Sequence, residues 1–354
     1  MTGRLILRSV DLALVAGCIL VSGLWAQGAP AQDVKGKTVI IGTLGTGTIN
    51  YAGAVALADL LAKEAGVRTS VLPQTGVPGL LALLNDGSIQ IATISAPDAQ
   101  MVHTGTRVYE GRRQALRLLH PFYSVEQGLL AAADANISTA KDIARKKVVG
   151  RYTGDPGLEI GILAQLANRG MSYADVVLVP VSSYPESMKS VIERRADVVA
   201  SGLTSPLVQQ LRAARGFRII PADESPEAVE RTRKVGPGFN VVSIPKTDAS
   251  LVWLKDDPNI KESVALLQFW FYMVASPKLD PDIAYALNKT VWTHYARLAP
   301  AQIKFARDWR PENMATADIV IPYHPGAARW FADAKAWTPA MARAQQELLA
   351  AEPK

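Results

Sequence analysis

Apolar residues run in short blocks along most of the chain, and most blocks are followed by a polar or glycine-containing break and then a stretch with helical spacing. "KTVIIGT" (37–43) reads as a strand, 52–65 as a helix, "RTSVLPQT" (68–75) as a strand, 77–86 as a helix and "IQIATIS" (89–95) as a strand. A second round follows: "GLLAAAD" (128–134), "KKVVGRYT" (146–153), a helix over 157–169, "DVVLVPVSS" (175–183), a helix over 185–194, "ADVVASG" (196–202) and "FRIIPAD" (217–223). This alternation predicts an α/β fold of two lobes of similar plan, each a mainly parallel sheet flanked by helices. From 224 to 246 the chain reads as loop-rich. The apolar run over 264–275 fits a strand or a buried helix equally well on pattern alone, and the remainder reads as helices rich in Ala and Trp.

The first residues carry a different pattern. Arg4 and Arg8 precede an apolar run over 12–26, and Ala29-Pro30-Ala31 supplies the small residues of a processing site. Residues 1–31 are therefore expected to be a cleaved signal peptide directing the protein to the periplasm. The run is shorter than the ~20 residues of a spanning helix, and an uncleaved anchor is the alternative. Cys18 is the only cysteine, so the processed chain would hold none. That fits an oxidising compartment and removes thiol catalysis and thiolate metal sites.

With 354 residues, 49% hydrophobic and 20% charged, the chain can bury a sizeable core. The 38 Lys and Arg exceed the 32 Asp and Glu to give +6, but the excess is spread along the sequence with only short clusters at 141–147 and 231–234. Without an aromatic-studded basic motif, nucleic acid is not an expected partner. A mildly basic surface suits a small anionic ligand; solvated faces are the plainer account.

The stretch "IGTLGTGTINY" (41–51) lies between the first strand and first helix. It lacks the Gly-Lys-Ser/Thr of a phosphate loop, and its glycines at 42, 45 and 47 do not have dinucleotide spacing. What remains is a strand end, glycines that admit a close ligand, and a helix start with free N–H groups beside the Thr43, Thr46 and Thr48 hydroxyls. Such a loop suits a carboxylate; a helix cap and tight turn is the alternative. "VVGRYTGDPGLEIG" (148–161) repeats the device in the second lobe and adds Arg151 where the strand meets its loop. Arg151 either grips an anion or pairs with Asp155. Catalytic readings find little support. His103, His120, His294 and His324 are isolated, without metal-ligand spacing, and "SGLTSP" (201–206) follows a strand with no Gly-x-Ser-x-Gly elbow and no partner base. No catalytic residue, metal or cofactor is expected.

"IIGTLGTGTINYAGAVALADLL", "VLPQTGVPGLLALLNDGSIQIATISAPDA" and "IPYHPGAARWFADAKAW" (321–337) resemble, in order and spacing, the TAXI family of solute receptors of tripartite ATP-independent periplasmic (TRAP) transporters. The resemblance covers nearly the whole processed chain. It implies a two-lobed periplasmic-binding fold that closes on a small organic anion, an amino acid, dicarboxylate or related carboxylate, and hands it to TRAP membrane permease subunits. It also implies that 263–276 returns as a strand, which places lobe I at 36–125 plus 266–354 and lobe II at 126–265. Candidate ligand-binding residues are Thr46, Gly47, Thr48, Tyr51, Thr75, Gly76, Ser95 and Asp98 in lobe I and Arg151, Thr153, Asp155, Ser182 and Thr204 in lobe II. Tyr123 and Tyr272 join them as aromatic candidates near the cleft. Where that family often has Gly-Ser-Gly-Thr, this chain has Tyr152-Thr153-Gly154-Asp155. The added carboxylate would repel a second ligand carboxylate or pair with an ammonium. A ligand-sensing module that signals to a membrane partner is the alternative function.

Overall fold

The structure is a computed structural model and describes residues 33–46, 48–153, 155–248, 251, 253, 255, 260–298 and 307–352. The expected signal peptide over 1–31 and the candidate Gly47 lie outside these residues. Three parallel strands open the fold. β1 (Thr38–Leu44) pairs with β2 (Arg68–Gln74) on one side and β3 (Ile91–Ser95) on the other. Each leads directly into a helix: α1 (Ile49–Ala65), α2 (Val77–Asp86) and α3 (Ala96–Thr104). α1 is bounded by a Thr48 cap and by Gly66 at φ 64°, a left-handed position that glycine occupies without a Cβ clash. A second parallel triplet repeats the plan. β5 (Lys147–Tyr152) pairs with β6 (Val177–Val181) and with β7 (Val198–Gly202). These strands lead into α4 (Pro156–Asn168), α5 (Tyr184–Ile192) and α6 (Pro206–Ala214).

Two long strands join the triplets. β4 (Arg117–Ala132) and β10 (Ser263–Ala275) run antiparallel to each other. β10 pairs with β3, and β4 pairs with β7, giving the order β2-β1-β3-β10-β4-β7-β5-β6. β8 (Phe217–Ile220) adds to β4, and β9 (Asn240–Pro245) adds to β10. The expected parallel character therefore belongs to the triplets, while the connecting strands make the whole sheet mixed. β10 is the strand that the sequence left open with a helix. Flanked by strands and largely buried, it needs no polar alternation. The stretch expected to be loop-rich over 224–246 instead holds α7 (Pro226–Val235) and β9. The Ala- and Trp-rich end is helical as expected, with α8 (Pro281–His294) and helices Pro325–Asp333 and Pro339–Ala350.

Buried side chains form two cores. The first combines β1–β3 and α1–α3 with Leu116–Tyr123 and the C-terminal helices. The second is built from residues 129–266, including Leu129, Val148, Ile162, Val198 and Leu266. α4 serves both, since Ile160 and Ala164 face the first core and Ile162 and Leu166 the second. Each fully buried aliphatic or aromatic side chain contributes about 1.5–3 kcal/mol, so both halves hold substantial apolar cores. The handover between cores falls at Glu126–Gln127 of β4, opposite Leu267–Gln268 of β10. There the interior turns polar: Ser124 Oγ donates to Glu126 Oε1 at 2.7 Å, and Gln268 Nε2 donates to the same oxygen at 3.2 Å.

Candidate functional site

The structure gives the candidate residues one common address, the carboxyl ends of the two parallel triplets, where a helix starts after each strand. Thr46 and Thr48 precede α1; Thr75 and Gly76 precede α2; Ser95 caps α3, with Asp98 in its first turn. In the second triplet Arg151, Thr153 and Asp155 lead into α4, Ser182 lies before α5, and Thr204 before α6. Strand ends and helix starts of this kind present unsatisfied N–H groups and a partial positive charge.

Several of these groups already have local duties. Thr48 Oγ1 accepts the Tyr51 N–H at 3.1 Å and donates to Gly45 O at 2.8 Å, so its hydroxyl caps α1. The Ser182 N–H and hydroxyl both donate to Glu186 Oε2 at 2.7 Å, and the Thr153 N–H donates to Val181 O at 3.1 Å. Thr46, Thr75 and Thr153 are exposed, and Tyr51 and Thr204 are half-buried. Arg151 is exposed and sits at φ 53° beside a register shift in β5. Its N–H lies 3.4 Å from the Tyr173 hydroxyl, and among the described residues its guanidinium forms no ion pair. Asp155 does not engage it. That carboxylate instead caps α4, accepting the Leu158 N–H at 3.2 Å.

One group of candidates meets across the two halves. Asp98 is 2% exposed. Its Oδ2 accepts the Ser95 hydroxyl at 2.6 Å, and the Ser95 Oγ accepts the Asp98 N–H at 3.1 Å. The same carboxylate lies against Gly157 in the first turn of α4. A Cβ added to Gly157 would overlap Asp98 Oδ2 and stand 3.1 Å from Ser95 Oγ, so glycine is what allows the starts of α3 and α4 to touch. Burial, then the charge of Asp155, pushes the Asp98 carboxyl up to about 7. Asp155 is raised as well, by burial, against the opposing pull of the Leu158 and Gly157 amides.

Two further residues with buried polar atoms carry no marker in the sequence. Tyr109, in the short turn Arg107–Tyr109, is buried, and its acidity is lowered first by burial and then by the charges of Asp98 and Asp155. Its hydroxyl and Asp98 Oδ1 are buried without hydrogen-bond partners among the described residues. Asn50 Oδ1, in the first turn of α1, is in the same condition. Polar atoms so placed are uncommon inside folded proteins and call for an explanation. The turn also bridges the halves, since Arg107 Nη2 donates to Val235 O at 2.9 Å at the end of α7.

Other expectations resolve into structure. Tyr123 and Tyr272 are core residues, 3% and 2% exposed, and Tyr123 stacks on Phe271 at 4.9 Å. They do not line a cleft. The segment "IPYHPGA" is architectural: His324 Nδ1 accepts the Gly326 N–H at 3.2 Å and caps helix Pro325–Asp333, while Gly326 packs directly on Pro281 O, leaving no room for a Cβ. His103 and His120 are buried, and burial draws each down to about 4. Among the described residues no group of three His, Cys, Asp or Glu side chains could hold a metal ion, and no helix is long and apolar enough to cross a membrane.

Two α/β halves, joined by paired long strands and meeting at helix starts, form the two-lobed architecture expected from the sequence. Residues 41–334 match the NMT1-like family, and the chain belongs to that family. Solved structures with a similar course include a putative sulfonate ABC transporter periplasmic sulfonate-binding protein, SsuA, from Methylobacillus flagellatus (TM-score 0.48, 16% identity, covering 89% of this chain and 96% of that one). The alkanesulfonate-binding protein SsuA from Xanthomonas axonopodis pv. citri gives a TM-score of 0.44 at 14% identity, covering 90% of this chain and 85% of that one. The periplasmic VFT2 domain of Bordetella pertussis BvgS gives 0.44 at 14% identity, covering 77% and 93%.

Proposed function

We propose that this protein is a periplasmic solute receptor that captures a small organic acid between two lobes and delivers it to membrane permease subunits, without catalysis. The lobes are 36–125 plus 266–354 and 126–265, and the polar crossing of β4 and β10 serves as the hinge. The observation that carries this reading is the meeting of the α3 and α4 starts, near which Asp98 and Tyr109 hold buried polar atoms that lack partners among the described residues. A solute drawn into that seam would satisfy them. Helix starts follow the strand ends of both triplets, and their N–H groups suit a carboxylate. Arg151 adds a guanidinium that forms no ion pair among the described residues, held at a left-handed backbone position. Backbone strain of this kind persists where the surrounding structure enforces it, often at ligand sites. The resemblance to the TAXI receptors suggests TRAP permease subunits as the membrane partner.

The test is a thermal-shift screen of the purified protein against amino acids, dicarboxylates and aromatic acids, followed by calorimetry. A specific solute at ~100 times its Kd adds about 2.7 kcal/mol to stability. Arg151→Ala should weaken that solute more than Arg145→Ala, whose charge precedes β5. A protein that binds none of these compounds would contradict the reading.

A further inference from the structure

We propose that Asp98 and Asp155 together receive a cationic group of the solute, so that the captured acid carries an amine and is not a simple dicarboxylate; this rests on the receptor reading above. The two carboxylates come from opposite halves and meet at the α3–α4 contact, where Asp98 abuts Gly157. Among the described residues neither forms an ion pair with Lys, Arg or His. A buried carboxylate, Asp98, packed on the helix start that the half-buried Asp155 caps needs a proton or a cation nearby. Asp98 Oδ1 and the Tyr109 hydroxyl, both more than nine-tenths buried and without partners among the described residues, supply acceptors beyond the capping bonds already made.

An ammonium fits this set. It offers three donors and no acceptor, one each for Asp98, Asp155 and the Tyr109 oxygen. A bound metal ion fits less well, because the described residues gather no third carboxylate, imidazole or thiolate there. A second solute carboxylate fits worst, since it would add a third negative charge beside Asp98 and Asp155. The seam thus selects against the dicarboxylates that the helix starts alone would accept.

Matched pairs of compounds differing by one amine test this by calorimetry at neutral pH: glutamate and glutarate, alanine and propionate, phenylalanine and 3-phenylpropionate. The amine-bearing member of the recognised pair should bind roughly 10- to 100-fold more tightly, the scale of a lost charge-assisted hydrogen bond. Asp98→Asn and Asp155→Asn should each erase most of that preference. If one variant does not fold, the other and Tyr109→Phe carry the same readout. Equal or tighter binding of the amine-free member by the parent protein overturns the inference and leaves the receptor standing. So does an undiminished preference in the folded variants. Binding of neither member of any pair overturns both.

Discussion

Replacing Asp98 with Asn tests the seam through stability alone. The Asp98 carboxyl ordinarily titrates near 3.8 and is raised to about 7 in the folded protein. Between those values the folded state holds a proton that the unfolded state releases. The protein is therefore most favoured by this residue below about pH 4 and loses that advantage as pH rises toward 7. At roughly 1.4 kcal/mol for each tenfold change in proton affinity, the gap corresponds to about 4 kcal/mol at most. Asp98→Asn resembles the protonated form, keeping an acceptor for Ser95 and gaining a donor toward Asp155. The parent curve alone is not diagnostic. His103, His120 and His324 are each lowered from 6.5 to about 4 by burial, so their contributions are lost as pH falls across the same window. Those contributions cancel in the difference between variant and parent. Urea unfolding of both proteins from about pH 4 to about pH 8 should give a difference that grows in favour of Asn with rising pH, reaching as much as about 4 kcal/mol. A flat difference, or one that favours Asp at high pH, would refute the burial and pairing of this carboxyl.

The remaining expectations use other parts of the molecule. Gly157→Ala would drive a Cβ into Asp98 Oδ2 while leaving both cores intact; small-angle scattering should show a more open particle, and calorimetry a weakened solute. Thr48→Ala removes the cap of α1 and should cost about 0.5–2 kcal/mol in urea unfolding, with Thr48→Ser restoring most of it. Arg151→Gly should relieve the left-handed strain at φ 53°, stabilising the fold by about 1 kcal/mol while weakening solute binding in calorimetry. A loss of stability instead would mean that the Arg151 side chain supports the fold.

The strand–helix rhythm was legible because most parallel strands are short apolar blocks and several helices begin at recognisable caps; α2 matches its expected range, 77–86. The first half of β4 was not legible. His120 and Pro121 interrupt its apolar run, and the pairing with β10 absorbs them by register shifts at Leu119 and Phe122. α3 escaped notice because residues 96–103, all but Gln100, are buried, which erases the amphipathic stripe a surface helix shows. β9 alternates only between exposed and half-buried positions. At the site, local chemistry marked the strand ends and helix starts, and the candidates Ser95, Asp98 and Asp155 stand close to the seam. Their meeting depends on two segments brought together by packing, and Tyr109 on a turn with no motif. No spacing in the sequence encodes either. Tyr123 and Tyr272 went the other way, for a tyrosine in an apolar strand reads alike whether it faces a cleft or a core.

The central claim, closure of two lobes on a solute, is tested most directly by a distance between them. Spin labels at Asp59→Cys on α1 and Lys189→Cys on α5, both exposed positions, in a Cys18→Ser background, report that distance by pulsed electron resonance. Addition of the solute that stabilises the protein should shorten and narrow the distance distribution, because the closed state gains the contacts that bind it. A distribution unchanged at saturating solute would contradict the account.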